Sequence, residues 1–337
     1  MPDRRAGPPR LEAAGHPAAL AWGRLGLGRA RPRAVTPVRR LPVSPRKSVV
    51  YRLEGVGEGG AAVVAKRCRP KYAEIESTIY ERVLPNLPLP TPRFLGMAAS
   101  EDGLSCWLFT EDVGNRAYLP AAASHRKLAG HWLGALHTAT LSLASDIPLP
   151  DRGPARYLWH LRCARDAIRD NLNNSAIDQE QRLRLQAITS NCDLVESEWS
   201  RIVQFCLPLP TTLVHGDFIG KNVRLRRGIA GVEMVAFDWE EAGRGVPAVD
   251  LAQATFASTG FLSNPDLDAY LAAAQWTTLT CESVQRLAVY GTIFRCLAAL
   301  HWASVDLPYE WVEWPVKNMA LYDAELAEAV RAAGWRK

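Results

Sequence analysis

Asp217, Asn222 and Asp238 are the residues from which chemistry is most readily built. The first two stand in His215-Gly-Asp217-Phe-Ile-Gly-Lys-Asn222 and the third in Phe237-Asp238-Trp239. Moving a phosphoryl group spreads negative charge over its oxygens, so one or two magnesium ions must bridge the phosphates. Magnesium prefers oxygen ligands and usually takes only one or two from protein side chains, keeping the rest for phosphate and water. A separate carboxylate must orient the attacking hydroxyl and accept its proton. Asn222 and Asp238 answer the first need and Asp217 the second. Each has a blander reading on its own: Asp217 as a turn or cap residue, Asp238 as the cap of the turn that follows. The three together, in this order and with a hairpin between them, make the bland reading the lesser one.

The elements around them supply the placement. Val223-Arg-Leu-Arg226 alternates apolar and charged residues, Arg227-Gly-Ile-Ala-Gly231 is turn-like, and Val232-Glu-Met-Val-Ala-Phe237 reads as a returning arm. A hairpin about residues 229–230 sets residue 222 opposite 237, and adjacent strands lie about 4.8 Å apart. Asn222 and Asp238 are then expected side by side at one end, with Asp217 on the loop just before.

His-Gly-Asp, four residues, Asn, then Asp-Trp ahead of Pro247-Ala-Val-Asp250-Leu-Ala252 resembles the aminoglycoside phosphotransferase and choline kinase family, a branch of the protein-kinase-like fold. The resemblance covers roughly residues 41–330. It implies an α+β, bilobal fold: a small, mainly antiparallel β lobe with one helix, and a larger, mainly helical lobe. It implies Asp217 as catalytic base, Asn222 and Asp238 as magnesium holders, His215 as a brace of the loop, and Asp250 as a buried anchor. Its cofactors would be ATP or GTP with Mg2+. Lys221 departs from the family, where small residues or Pro are common, and is expected to face solvent.

The front of the chain gives an independent check. Kinases hold the α- and β-phosphates with a lysine on the third strand, oriented by a glutamate on the next helix. Lys66 ends the apolar strand Ala61-Ala-Val-Val-Ala-Lys66, though alone it reads as a solvated strand-end lysine. On the predicted helix 71–84, Tyr72, Ile75, Ile79 and Val83 share a face. Glu76 lies at its edge, whereas Glu74 and Glu81 point away, so Glu76 is the expected partner. Gly55-x-Gly57-x-x-Gly60 matches a phosphate-loop fingerprint literally, but a strand follows it rather than a helix, and it sits too close to Lys66. It reads as a hairpin turn. The phosphate-covering loop then falls at Ser44-Pro-Arg-Lys-Ser48, with Ser44 and Ser48 as its polar side chains. By resemblance to the family's hinge, backbone groups from Thr110 to Asp112 would meet the adenine edge.

Strands early and helices later argue for two segregated parts. Helical patterns fall at 128–141, 155–172, 178–205, 248–257, 266–274, 281–303 and 316–333. The expected division is a basic head at 1–40, a nucleotide lobe at 41–112 and a helical lobe at 113–337. Residues 1–47 hold 11 Lys/Arg against 2 Asp/Glu, while the remainder holds 29 against 33. The head, rich in Pro, Gly and Ala, reads as a poorly ordered tail. A nucleic-acid arm is the sharper alternative, and without aromatic interleaving nucleic acid is not the expected partner. Seven scattered cysteines with no Cys-x-x-Cys pair argue against a disulfide framework or a zinc site and suit a reducing cytosol, hence a cytoplasmic protein. No apolar run reaches the length of a membrane span, so no membrane partner is expected.

The expected partner is a small molecule with a hydroxyl. Trp302, Tyr309, Trp311 and Trp314 fall near Asp306, Glu310 and Glu313. Such acids would suit an amine-bearing acceptor and such rings a sugar or quaternary ammonium; the even alternative is core aromatics with a solvated acidic rim. An aminoglycoside-like or other natural-product hydroxyl is the first expectation and a choline- or ethanolamine-type amino alcohol the second. A catalytically silent nucleotide-binding regulator is the rival class, and the presence of Lys66, Asp217, Asn222 and Asp238 weighs against it. The sequence leaves the oligomeric state open.

Overall fold

The computed structural model describes residues 10–26, 30–38, 48–143, 146–229, 231–254, 262–276 and 279–336. The chain forms two compact units, Met1–Arg116 with Arg224–Glu241, and Ala117–Val223 with Ala242–Lys337.

The first unit is built on a five-stranded sheet. Its strands are β1 (Val35–Pro37), β2 (Val49–Leu53), β3 (Val63–Cys68), β4 (Phe94–Ala99) and β5 (Cys106–Glu111). The spatial order is β1-β2-β3-β5-β4, and every pairing is antiparallel. Leu53 pairs with Val63 across the Gly55–Gly60 segment, so the glycines close a hairpin as expected. Gly59 and Gly60 take φ of 62° and 80°, which only glycine adopts freely.

Two helices cover the two faces of this sheet. On one face, Ala18, Ala21 and Trp22 of α1 (Pro17–Arg24) pack with Leu53, Val63, Ala65, Trp107 and Phe109. The Trp22 and Phe109 rings meet at 5.3 Å and 60°. On the other, Ala73 of α2 (Pro70–Thr78) packs with Cys68 and Leu108. Side chains alternate along a strand. Val63 and Ala65 therefore turn to α1, and Lys66 and Cys68 to α2. One π turn, Ile79–Val83, continues α2.

The expectation of a loosely ordered head at residues 1–40 is corrected for its described part. Leu11 bridges Val35, β1 pairs with β2, and Trp22 is 2 % exposed. Apolar residues spaced i, i+3, i+4 (Ala18, Ala21, Trp22) give α1 a narrow apolar stripe that fits a flat sheet. The hairpin of β7 (Val223–Gly228) and β8 (Gly231–Ala236) belongs, from Arg224 on, to this unit rather than to the helical one. Leu225 N–H donates to the Arg116 carbonyl at 2.9 Å, and Arg226 pairs with Glu111 at 3.2 Å.

The second unit holds α3 (Ala123–Ala139), α4 (Pro154–Asn171), α5 (Gln179–Ser197), α6 (Trp199–Cys206), α7 (Leu267–Ala273), α8 (Cys281–Ser304) and α9 (Glu313–Ala332). A two-stranded ribbon of β6 (Thr212–Val214) and β9 (Gly243–Gly245) accompanies them. The single helix expected over 178–205 breaks at Glu198. The expected helix 248–257 begins as a short 3-10 turn, Pro247–Leu251, and its last residues lie outside those described. From Leu287 to Leu300, α8 is buried almost all round. It reaches the 3-10 turn so closely that a Cβ at Gly291 would stand 1.7 Å from the Ala248 carbonyl oxygen. Among the described residues no helix is long and apolar enough to cross a membrane.

Candidate active site

The first unit gathers one cation and three acids. Lys66, on the α2 face of β3, is ion-paired to Glu76 and to Asp238, and its Nζ lies 2.9 Å from Glu240 Oε2. Ser48 Oγ donates to the same Glu240 oxygen at 3.2 Å. Glu76 is 2 % exposed and Lys66 8 %, so each charge needs its partner, because burying an unpaired charge is costly. Burial alone would depress the Lys66 ammonium. The carboxylates of Asp238, Glu76 and Glu240 outweigh it and hold its pKa well above the ordinary lysine value. Burial pushes the Glu76 carboxyl up to about 8, with Lys66 opposing and Asp238 and Glu240 reinforcing. One carboxylate oxygen each from Glu76, Asp238 and Glu240 lies within 4.8 Å of the others. Such hard oxygens are the donor type that magnesium takes. Asp238 has φ of 71°, an uncommon conformation for a non-glycine residue, held here by its ion pair with Lys66.

The second unit builds a loop around Asp217. After β6 the chain turns through Gly216 at φ 78°. Asp250, 1 % exposed, accepts from the backbone N–H of His215 at 2.7 Å and of Gly216 at 2.9 Å. His137 reaches the Asp250 carboxylate at 3.3 Å through Nε2 and the Tyr270 hydroxyl at 3.2 Å through Nδ1. It is fully buried. The His215 ring accepts the Asp217 N–H at 3.4 Å. Asn222 Nδ2 donates to the main-chain oxygen and to Oδ2 of Asp217, each at 2.9 Å. Arg295 Nη2 stands 2.6 Å from Asp217 Oδ1, and Lys221 Nζ 3.5 Å from Oδ2. Lys221 is thus more than half exposed, as expected, yet within reach of the loop carboxylate.

The sequence-expected residues therefore fall into two sets. Lys66, Glu76, Asp238 and Ser48 come together, and so do Asp217, Asn222, His215 and Asp250. Ser44 lies outside the described residues. Thr110 sits in mid-ladder, opposite Val64 on one side and Phe94 on the other. The Asp112 carboxylate pairs with Arg52 at 2.5 Å and accepts from the Gly114 N–H at 3.0 Å. Neither side chain joins the Lys66 set. The aromatic group expected for the acceptor divides: Tyr309 and Trp311 stack on each other at 4.5 Å near the surface, Trp314 is exposed, and Trp302 lies beneath the Arg295 guanidinium at 4.8 Å.

Sequence reasoning missed Glu240 and Arg295. Glu240 follows Asp238 by two residues, and with Glu241 next to it the sequence alone does not single it out. Arg295 is a lone charge inside the apolar run Leu287–Leu300 of α8, and a charge there needs a buried partner.

No curated protein matches the chain in sequence. Solved structures match it in fold. The choline kinase of Cryptosporidium parvum Iowa II is 13 % identical with a TM-score of 0.57, over 89 % of this chain and 90 % of that one. A type I macrolide 2'-phosphotransferase is 18 % identical with a TM-score of 0.58, over 94 % and 98 %. A GDP complex of an aminoglycoside 2'-phosphotransferase mutant is 12 % identical with a TM-score of 0.60, over 93 % and 99 %. At such identities the likeness establishes the protein-kinase-like, bilobal α+β fold. The sequence profile of the phosphotransferase enzyme family matches residues 42–282, most of the chain and both sets of side chains described above. The chain belongs to that family, and it is a phosphotransferase with the small-molecule kinase fold.

Proposed function

We propose that this phosphotransferase moves the γ-phosphoryl of ATP or GTP, bound with Mg2+, to a hydroxyl of a small natural-product-like molecule. The observation that carries the reading is the Lys66 set: a buried ammonium held between Glu76 and Asp238, with Glu240 and Ser48 beside it. An ammonium fixed by a helix glutamate is a point charge for nucleotide phosphates. Asp238 would hold magnesium by a carboxylate oxygen and Asn222 by its amide oxygen, with Glu240 as a further oxygen donor to the metal or its waters. The bound metal would neutralise charge on the phosphates.

Asp217 would act as the base. The acceptor oxygen forms a bond to the γ-phosphorus as the bond to the bridging oxygen breaks, its electron pair leaving with the nucleoside diphosphate. The hydroxyl proton passes to the Asp217 carboxylate. Asp250 and His215 would keep the loop backbone in place. The seven free cysteines fit a cytoplasmic setting. An ADP- and GDP-release assay across hydroxyl-bearing antibiotics, sugars and amino alcohols tests the reading. Turnover that requires Mg2+ and is lost with Lys66→Met supports it, and release unaffected by that change overturns it.

A further inference from the structure

We propose that the cleft between α6, α8 and the end of α9 is a ligand site of its own, taking an uncharged, planar aromatic molecule whose hydrogen-bond acceptor meets the Tyr290 hydroxyl. It goes beyond the phosphoryl-transfer reading and does not depend on it.

The cleft lies wholly within the second unit and encloses about 670 Å³, a volume usual for a small-molecule site. Three rings from three segments line it: Phe205 of α6, Tyr290 of α8 and Trp335 beyond α9. Phe205 meets Tyr290 edge-on at 5.3 Å and 81°, and Trp335 stacks on Tyr290 at 5.8 Å and 29°. Each outer ring is thus held against the central one. A flat ligand would find a preformed aromatic wall and spend little on ordering it.

The polar feature of this wall is one hydroxyl. Tyr290 is 6 % exposed, yet among the described residues no hydrogen bond reaches its hydroxyl. A tyrosine so buried usually finds a partner. Burial raises its pKa, and the Arg286 and Arg201 guanidiniums pull it back. Both arginines line the cleft, so the hydroxyl lies on the cleft side. It stays protonated and has a proton to donate to a carbonyl or ring nitrogen.

The charges at the rim are balanced. Arg286 pairs with Glu282 at 3.2 Å and Arg201 with Glu198 at 2.8 Å. Each guanidinium has its own carboxylate, so the rim favours neither an anion nor a cation. The Arg286 guanidinium also stands 5.6 Å from the Phe205 ring centre, where it backs the wall.

Helix geometry separates this cleft from the candidate base. At 100° per residue, Tyr290 and Arg295 point about 140° apart on α8. Arg295 is the residue paired with Asp217, so the cleft opens on another side of the helix.

The test is calorimetry on the full chain with three probes of one skeleton. Coumarin is flat and neutral and carries a carbonyl acceptor; octahydrocoumarin keeps the carbonyl but is puckered; coumarin-3-carboxylate is flat but anionic. Coumarin should bind at least about fivefold tighter than either of the others. Tyr290→Phe should weaken coumarin about fivefold, the worth of one hydrogen bond. Trp335→Ala should weaken it by about tenfold, and if that variant melts early, Tyr290→Phe, which removes one oxygen, carries the test. Asp217→Asn should leave coumarin affinity within about twofold of the parent. No coumarin binding at millimolar concentration, equal or tighter binding of either comparison probe, or an affinity that Tyr290→Phe leaves unchanged would each overturn the inference. Loss of coumarin binding in Asp217→Asn would put the probe at the acceptor loop and overturn it as well.

Discussion

One side-chain nitrogen of Asn222 donates to Asp217 twice, at 2.9 Å to its main-chain oxygen and at 2.9 Å to its Oδ2. The loop between them is thereby closed by a side chain, and the carboxylate is aimed by the same amide that would face magnesium with its oxygen. Asp217→Asn should cut turnover by about 10²–10⁴-fold, the usual cost of losing a general base. Nucleotide affinity should hold, because a base at Asp217 would act on the acceptor. Asn222→Ala should lower turnover with a smaller change in nucleotide affinity. Steady-state ADP release beside calorimetric nucleotide binding separates the two effects.

Asp238 should matter more than Asn222 for Mg2+–nucleotide binding, since it brings a full charge and Asn222 only a dipole. Asp238→Ala also removes one of the acids that balance Lys66. Mg2+ titrated alone should bind weakly, because Lys66 is ion-paired into the acid cluster and phosphate oxygens are needed to complete the octahedron. Titrating the metal with and without a non-hydrolysable ATP analogue checks this. Tight, nucleotide-independent binding that survives Asp238→Ala would place the ion elsewhere.

Trp22 should be a stability residue despite its place near the start of the chain. It is 2 % exposed and packs on Phe109. Trp22→Ala should cost about 3–5 kcal/mol, as for other buried tryptophans. Deleting residues 1–26 should lower the melting temperature at least as much, since it bares Trp107 and Phe109 on one face of the sheet. Urea denaturation and thermal melts read both changes. A variant that melts like the parent would show that α1 contributes nothing to the fold.

His160 should make the protein acid-sensitive. Burial, then Arg156, His301, Arg152 and Arg295, holds its pKa far below the ordinary 6.5. The sign follows directly. As pH falls below 6.5 the unfolded chain takes up a proton that the folded chain refuses, so stability drops until the folded pKa is reached. The slope is on the order of 1 kcal/mol per pH unit. His301, held at about 4 by burial and Arg156, adds in the same direction. Melts from pH 7 to pH 5 should show the parent losing stability more steeply than His160→Gln. Parallel curves would mean that His160 accepts its proton in place.

How much of this was legible in the sequence depended on whether a residue's role is local. The Gly55–Gly60 hairpin, the strand ending near Lys66 and the loop from His215 to Asn222 declare themselves within a few residues, because turn chemistry and strand alternation are short-range. Glu76 was legible from helical phase alone. Arg295 was not, because its reason for being buried lies 78 positions back in the chain at Asp217, and no periodicity relates the two. The head was misread for a related reason: alanines give a weak apolar stripe, and the flat face of Trp107 and Phe109 that makes so narrow a stripe sufficient is formed far downstream.

The small unit is discontinuous, and that orders events at the ribosome. Lys66 and Glu76 are ten positions apart, but Asp238 follows Lys66 by 172. At roughly 5–20 residues per second of synthesis, the lysine–glutamate pair emerges on the order of ten seconds or more before its second acid exists. For that interval the nascent sheet lacks the β7–β8 hairpin as well. A fragment ending at Arg116 is therefore an arrested biosynthetic intermediate rather than a module, and the full Lys66 set exists only after most of the chain has been made.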